Sequence, residues 1–265
     1  MARTVTPDGA ELYYVTRGAG PPILFVHGWM SNHRTWDRQL YALQDRYQCV
    51  ALDLRGMGQS EKGDWAYSFE EFGSDVRHVI KSLGLKDVTL VGRSMGVSVS
   101  LSYLEQFQDD SEVSRVVLIT GPIKLTNSSD WDLGMEEEEC MNYIDGVAND
   151  PLNGRWRFAE ACLLNPSEAE VQSVYQISLQ TPLDVAMKAV RNQLKLDHRS
   201  VLKTLQIPCL AVYTGHDFYP PALGEYIANT APKGRVVTFE DEGHSMPVQN
   251  AEKFNELLID FMESS

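Results

Sequence analysis

The chain has 265 residues, 43% of them hydrophobic, and a formal net charge of −14 at pH 7. A chain of this length and apolar content can bury a sizeable core, and a single α/β domain of this size is routine. The acidic balance argues against nucleic acids and anionic membranes as partners, because like charges repel and binding would release no counterions.

The sequence has no apolar segment preceded by basic residues near its start and no run of about 18 apolar residues, so we expect a cytoplasmic location. Its four cysteines, Cys49, Cys140, Cys162 and Cys209, lack the close paired spacing of zinc sites. We expect them to be reduced and mostly buried. No sequence signal indicates an oligomeric state.

Strands and helices alternate through the first part of the chain. The spacing of Ser68 and Glu71 matches a capping box at the start of the second predicted helix. The alternation predicts an α/β fold with a mostly parallel central sheet flanked by helices. Predicted strands span 11–16, 22–26, 47–53, 88–91 and 113–120, and predicted helices span 35–43, 68–83 and 97–107.

The alternation stops between 121 and about 204, where helix-like stretches are interrupted by Pro151, Pro166 and Pro182. We predict a helical cap at 122–204, inserted into a core formed by 1–121 and 205–265. A cap over the carboxyl ends of the strands would exclude water and shape a pocket for a small-molecule substrate. Candidate pocket or cap-core residues are Trp131, Leu133, Met135, Trp156, Phe158, Leu163 and Leu164.

The last part of the chain returns to the strand-and-helix pattern. A predicted strand from Pro208 leads into a polar turn that contains Asp217. A second predicted strand, at 235–240, is followed by a loop with His244, and Asn250 can cap an amphipathic helix at 251–262. Both Asp217 and His244 are therefore expected in loops at the ends of strands.

The most specific motif is Gly92-Arg93-Ser94-Met95-Gly96, a G-x-S-x-G turn between a predicted strand and a predicted helix. Such a turn needs glycines on both sides because the strained backbone around the serine leaves no room for side chains. The serine oxygen is then lifted clear of the sheet edge. Since a serine hydroxyl is a poor nucleophile at its own pKa, Ser94 would need a base, an orienting carboxylate and oxyanion donors.

The chain contains residues for each of these roles. The order Ser94, Asp217, His244 is the one expected of a nucleophile, acid and base on this architecture. The predicted strand at 22–26 ends in His27-Gly28-Trp29, whose backbone can supply one oxyanion donor. The amide of Met95, at the start of the helix after the serine, can supply the other.

Together these segments resemble the α/β-hydrolase-fold serine hydrolases, over essentially the whole chain apart from its middle. The resemblance implies that Ser94, Asp217 and His244 form a catalytic triad and that the amides of Trp29 and Met95 form an oxyanion hole. Val97 replaces the small residue that many relatives have after the turn. Arg93 is unusual beside the nucleophile, and we expect it, with the Trp29 indole, to contact substrate. The segments that carry the resemblance are 27–29, 53–60, 92–96, 215–217 and 243–244.

The leading hypothesis is a serine hydrolase acting on a small to medium-sized, fairly apolar ester or lactone, with no metal or organic cofactor. Within the same superfamily it is similar to esterases, lactonases and cofactor-free perhydrolases. Two alternative functions use the same fold. One is a carbon–carbon bond hydrolase or cofactor-free oxygenase, faintly suggested by Asn32-His33-Arg34 after Gly28-Trp29. The other is a ligand receptor with slow turnover, in which the cap is the moving part.

Each candidate also has an ordinary structural role to weigh against the functional one. Ser94 could cap a helix, His244 could be a loop histidine with satisfied hydrogen bonds, and Asp217 could form an Asx-type turn. We expect His27, Asp53 and Arg55 to hold their loops in place by hydrogen bonding. The acidic run at 136–139 is best explained as a solvated helix face.

Overall fold

The sheet of the computed structural model contains eight strands in the order β1-β2-β4-β3-β5-β6-β7-β8. The structure describes residues 2–107, 109 and 112–264. The strands are β1 (Ala2–Val5), β2 (Glu11–Arg17), β3 (Pro22–Val26), β4 (Gln48–Leu52), β5 (Val88–Arg93), β6 (Val113–Ile119), β7 (Cys209–His216) and β8 (Gly234–Gly243).

The pairs from β4 to β8 along the sheet are all parallel, and only β2 runs against the other strands, since it is antiparallel to both of its neighbours, β1 and β4. This confirms the predicted α/β fold with a mostly parallel sheet flanked by helices. Every residue of β3 and β5 is buried, as expected for inner strands that are covered on both faces.

Helices cover both faces of the sheet. A short 3-10 helix (His33–Trp36) precedes α1. The α-helices are α1 (Asp37–Leu43), α2 (Phe69–Ser82), α3 (Met95–Phe107), α4 (Glu137–Asn149), α5 (Pro151–Ala161), α6 (Glu168–Ser178), α7 (Leu183–Gln193), α8 (Arg199–Thr204), α9 (Pro221–Thr230), α10 (Met246–Gln249) and α11 (Ala251–Ser264). Within the described part of the chain, none of them has the length and apolar character needed to cross a membrane.

Two large apolar clusters cover the sheet, one on each face, and a third, small cluster of Ala159, Leu163 and Val171 lies where α5 and α6 meet. Alternate residues of β3 divide between the two large clusters, with Leu24 and Val26 facing one cluster and Ile23 and Phe25 facing the other. This division follows from the two-residue period of a strand. Helices α2 and α3 pack on the first face, and α1 and α11 pack on the second.

The predicted capping box is present at the start of α2, where the Ser68 hydroxyl accepts from the Glu71 amide and the Glu71 carboxylate accepts from the Ser68 amide. Sequence patterns do not predict β1 or α9. Strand β1 is only four residues long and forms by pairing with β2, so it depends on a neighbour rather than on its own pattern.

Five helices, α4 to α8, lie between β6 and β7, where the cap is predicted. Two isolated β-bridges, Thr126–Met135 and Ser128–Trp131, precede them. Helix α7 packs against α2, and α4 packs against α7, so α4 and α7 lie on the side of the sheet that carries α2 and α3. The boundaries of the cap at 122–204 stay a prediction.

Candidate active site

Ser94 lies in the sharp turn between β5 and α3, with its backbone in the left-handed region at φ 56°. Its amide donates to the Ile119 carbonyl at 2.9 Å, which holds the turn against the end of β6. A Cβ at Gly92 would lie 2.2 Å from the Gly96 carbonyl oxygen, and a Cβ at Gly96 would lie 2.4 Å from the Val26 oxygen. The two glycines are therefore needed for close packing around a strained serine, as the motif predicts.

His244 and Asp217 are joined by a hydrogen bond of 2.8 Å between Nδ1 and Oδ1. The Asp217 side chain is fully buried and also accepts from the Thr214 hydroxyl at 2.9 Å and the Phe218 amide at 2.6 Å. Because an ionised carboxylate only accepts, Nδ1 of His244 carries the proton and Nε2 is left as the basic nitrogen. The Phe218 ring packs edge-on at 4.9 Å from the imidazole and fixes its plane.

Ser94 and His244 line the same cavity, together with Trp29 and Met95. The loop after β3 lies directly against the serine, since a Cβ at Gly28 would be 3.3 Å from Ser94 Oγ. Met95 is the first residue of α3, where an amide has no partner within the helix. Among the residues that the structure describes, neither the Met95 nor the Trp29 amide donates a hydrogen bond. Both amides are available to an oxyanion.

His27 supports the loop that carries Trp29. Its Nε2 accepts from the Leu54 amide at 3.1 Å, so Nδ1 carries the proton and donates to the Gly28 carbonyl at 2.8 Å. Burial lowers the pKa of His27 to about 4, which keeps the ring neutral. As predicted, this histidine holds a loop in place through hydrogen bonds.

Asp53 and Arg55 also support loops, as predicted, and neither lines the cavity. The Asp53 carboxylate accepts from the His33 amide and imidazole and from the Gln59 amide. Arg55 forms a two-point contact with the buried Asp75 carboxylate, at 2.7 Å from Nε and 2.5 Å from Nη2.

Arg93 does not reach the cavity, contrary to the prediction that it contacts substrate. Its Nη1 donates to the Ser245 hydroxyl at 2.9 Å and to the His244 carbonyl at 3.4 Å. In a strand, residues two apart point to the same face, and Val91 belongs to the cluster beneath α11. Arg93 therefore lies on the same face of β5 as Val91, outside the cavity lining, and supports the loop that carries His244.

The other residues predicted to contact substrate divide between two environments. Trp29 and Met135 line the cavity. Trp131 instead packs edge-on against Tyr226 at 5.0 Å, and Trp156 packs against Tyr175 at 5.5 Å. Neither Trp131 nor Trp156 is among the cavity-lining residues, so the prediction that they contact substrate is corrected.

The cavity is small and mostly apolar, with about 60 Å³ open to the centres of water molecules. Sequence reasoning missed several of its residues, although the i, i+3, i+4 spacing of Cys140, Tyr143 and Ile144 on α4 is the usual sign of an inward helix face. The lining residues that were not predicted are Leu125, Cys140, Tyr143, Ile144, Val190, Gln193, Phe218 and Tyr219.

Contacts across the cavity connect the Trp29 loop to helices α5 and α7. The Trp29 indole donates to the Ala186 carbonyl of α7 at 2.8 Å, and its ring packs edge-on at 5.4 Å from Phe158 of α5. The side chain of Asn32 also donates to Gln180 at 3.0 Å. The position of the Trp29 amide is thus coupled to the packing of these helices.

A larger open groove of about 630 Å³ lies at the other end of the sheet. Its walls include Pro22 at the start of β3 and Lys86 just before β5. Ligands of parallel α/β sheets bind outside the carboxyl ends of the strands, where Ser94 lies, so we place the site in the smaller cavity.

Comparisons with known proteins agree with the architecture. The family model described as alpha/beta hydrolase fold matches residues 21–139. The chain is 28% identical to "Non-heme chloroperoxidase CPO-A1" of Kitasatospora aureofaciens, over 99% of both chains. It is 35% identical to "Uncharacterized protein Mb2734" of Mycobacterium bovis, over 98% of this chain and 80% of that protein. Among solved structures it is similar to an esterase from Exiguobacterium antarcticum, with a TM-score of 0.93, 26% identity and 98% of both chains covered.

Proposed function

Because the chain belongs to the alpha/beta hydrolase fold family, we propose that it is a serine hydrolase that cleaves a small carboxylic ester or lactone. The observation that carries the proposal is the arrangement of side chains and backbone amides around one cavity. Ser94 in its strained turn and His244, held by the buried Asp217, both line that cavity, beside two amides that are available to an oxyanion.

In the proposed reaction, Nε2 of His244 accepts the hydroxyl proton of Ser94 as Oγ bonds to the substrate carbonyl carbon. Asp217 holds the imidazole tautomer and stabilises its positive form. The amides of Met95 and Trp29 donate to the oxyanion, and each such donor contributes roughly 10²- to 10³-fold in rate. The carbon–oxygen bond then breaks, and the alcohol leaves with the proton from Nε2. Water attacks the acyl-enzyme by the same steps and releases the acid and Ser94.

The size and lining of the cavity support a short acyl group. A space of about 60 Å³ for water centres holds only a few waters, or a chain of a few heavy atoms. Its walls include Leu125, Ile144 and Val190, which favour an apolar occupant. We therefore propose faster turnover of acetate and butyrate esters than of octanoate esters.

Perhydrolysis is a second candidate, favoured by the 25% identity, over the full length of both chains, to a protein of Acinetobacter calcoaceticus named as a bifunctional esterase/perhydrolase. The same acyl-enzyme would be attacked by hydrogen peroxide in place of water. A peroxy acid would then leave, and the proton would return to Ser94 through His244. This reaction needs no group beyond the ones already described.

The experiment compares the hydrolysis of p-nitrophenyl acetate, butyrate and octanoate by the wild-type protein and by Ser94→Ala. We expect Ser94→Ala to lose at least roughly 10³-fold in kcat, because the nucleophile acts as a unit with its base. Ser173→Ala, at an exposed position of α6, is the matched control and should retain full activity. Unchanged turnover in folded Ser94→Ala would overturn the proposal.

A further inference from the structure

Two tyrosine hydroxyls at the cavity lack hydrogen-bond partners. Tyr143 on α4 and Tyr219 after β7 both line the cavity that contains Ser94 and His244. The Tyr143 hydroxyl oxygen is buried and makes no hydrogen bond. Across residues 2–107, 109 and 112–264, the hydroxyl of the buried Tyr219 makes none either. A buried hydroxyl without a partner is destabilising, so the Tyr143 hydroxyl points to a ligand that supplies the partner, and the Tyr219 hydroxyl lies beside the same cavity.

Ring packing fixes the position of Tyr143. Its ring lies 6.1 Å from the Phe218 ring and 6.4 Å from the Phe158 ring. Phe218 in turn packs at 4.9 Å from His244. The Tyr143 ring is therefore separated from the imidazole by a single aromatic ring. Tyr143 therefore lies on the part of the cavity wall that is close to His244.

The chemistry of the lining restricts what these hydroxyls can bind. Burial raises the pKa of both Tyr143 and Tyr219, so both are protonated donors at neutral pH. No lysine or arginine is among the cavity-lining residues, so a buried carboxylate would have no compensating charge. The side-chain amide nitrogen of Gln193 already donates to the Ser98 hydroxyl at 3.0 Å. The group best matched to the two phenols is a neutral acceptor oxygen.

We infer that Tyr143 and Tyr219 bind a neutral ether or keto oxygen in the acyl group of the substrate. The acyl group, rather than the alcohol, is assigned to this cavity because it stays on Ser94 through both half-reactions while the alcohol must leave. The substrate class is thus an ester of a short oxa- or oxo-substituted acid. This inference rests on the proposed function.

The experiment uses two esters with the same leaving group and chain length, p-nitrophenyl 3-methoxypropanoate and p-nitrophenyl pentanoate. They differ by one oxygen in place of one methylene. For each variant the ratio of the two kcat/KM values is compared with the wild-type ratio, so that the intrinsic reactivity of the esters cancels. We expect Tyr143→Phe and Tyr219→Phe each to lower the ratio of methoxy ester to pentanoate by about 2- to 13-fold, the effect of one neutral hydrogen bond.

Tyr175→Phe is the matched control, because Tyr175 lies on cap helix α6, packs against Trp156 and does not line the cavity. It should leave the ratio unchanged. Each tyrosine variant loses only a hydroxyl without a protein partner, and circular dichroism verifies the fold. Equal losses on both esters, or an unchanged ratio in Tyr143→Phe and Tyr219→Phe, would overturn the inference while Ser94-dependent turnover left the proposed function intact.

A binding measurement separates the two proposals if neither ester is hydrolysed. The probes are 4-methoxy-2-butanone and 2-hexanone, which differ by the same oxygen, and the protein is Ser94→Ala with or without Tyr143→Phe. Tighter binding of the methoxy ketone, measured by thermal shift and lost with Tyr143→Phe, supports the inference independently of turnover. Equal binding of the two ketones contradicts it.

Discussion

The buried imidazole of His27 predicts a specific loss of stability in mild acid. The folded protein keeps His27 neutral, with its pKa lowered from 6.5 to about 4 by burial. Above pH 6.5 neither the folded nor the unfolded state binds the proton, so the full stability is present. Between pH 6.5 and 4 the unfolded state binds it and the folded state does not, so the free energy of unfolding falls as pH falls.

The magnitude follows from the two pKa values. A difference between 6.5 and about 4 corresponds to about 3 kcal/mol, lost progressively down to pH 4 and constant below it. Protonation at Nε2 would also break the bond from the Leu54 amide and loosen the loop that carries Trp29. Urea unfolding of the wild-type protein and of His27→Gln at intervals between pH 7.5 and 4 measures this loss. The contributions of the other titrating groups cancel when the two free energies of unfolding are subtracted.

We expect His27→Gln to be less stable at pH 7.5, since its packing and hydrogen bonds are poorer. Its deficit relative to the wild-type protein should shrink by about 3 kcal/mol as the pH approaches 4. A constant difference between the two proteins across this range would refute the assignment of a buried neutral imidazole.

Three further substitutions test separate parts of the site. Asp217→Asn should lower kcat by roughly 10⁴-fold in steady-state assays, because an amide cannot hold the imidazole in the required tautomer; a loss below tenfold would contradict that role. Trp29→Phe removes the indole bond to Ala186 but keeps the backbone amide, so urea unfolding should show a loss of about 0.5–1.5 kcal/mol in the free energy of unfolding. A loss of activity larger than that of Ser94→Ala would be inconsistent with a Trp29 role limited to its backbone amide. Ile144→Ala should cost about 2–5 kcal/mol in stability and shift the chain-length preference toward octanoate; an unchanged preference would show that this wall does not limit the acyl group.

The core of the site was predictable because it depends on local rules. The G-x-S-x-G motif by itself predicts this turn, because it places a serine at φ 56° between two glycines whose positions leave no room for a Cβ. Asp217 and His244 follow neighbouring parallel strands, β7 and β8, so the topology brings them to the same edge of the sheet. The period of β5 could also have placed Arg93 on the same face as Val91.

The packing of helices α4 to α8 could not be derived from the sequence, because their contacts join residues that are far apart in the chain. Trp131 and Trp156 have the same apolar character as Trp29, but their neighbours are Tyr226 and Tyr175 rather than the cavity. Which face of an amphipathic helix meets the core depends on how α4 to α7 dock on the sheet. The helical spacing of Cys140 and Tyr143 predicts a buried face of α4, but it does not predict which residues that face packs against.

Covalent labelling of the nucleophile tests the central claim most directly. A fluorophosphonate transfers its phosphonyl group to an activated serine oxygen and releases fluoride, and peptide mass spectrometry locates the adduct. The account predicts one adduct per chain, on Ser94, with loss of p-nitrophenyl butyrate turnover in proportion to labelling and no rapid labelling of His244→Gln. An adduct on a different residue, or full ester turnover by a protein labelled stoichiometrically on Ser94, would contradict it.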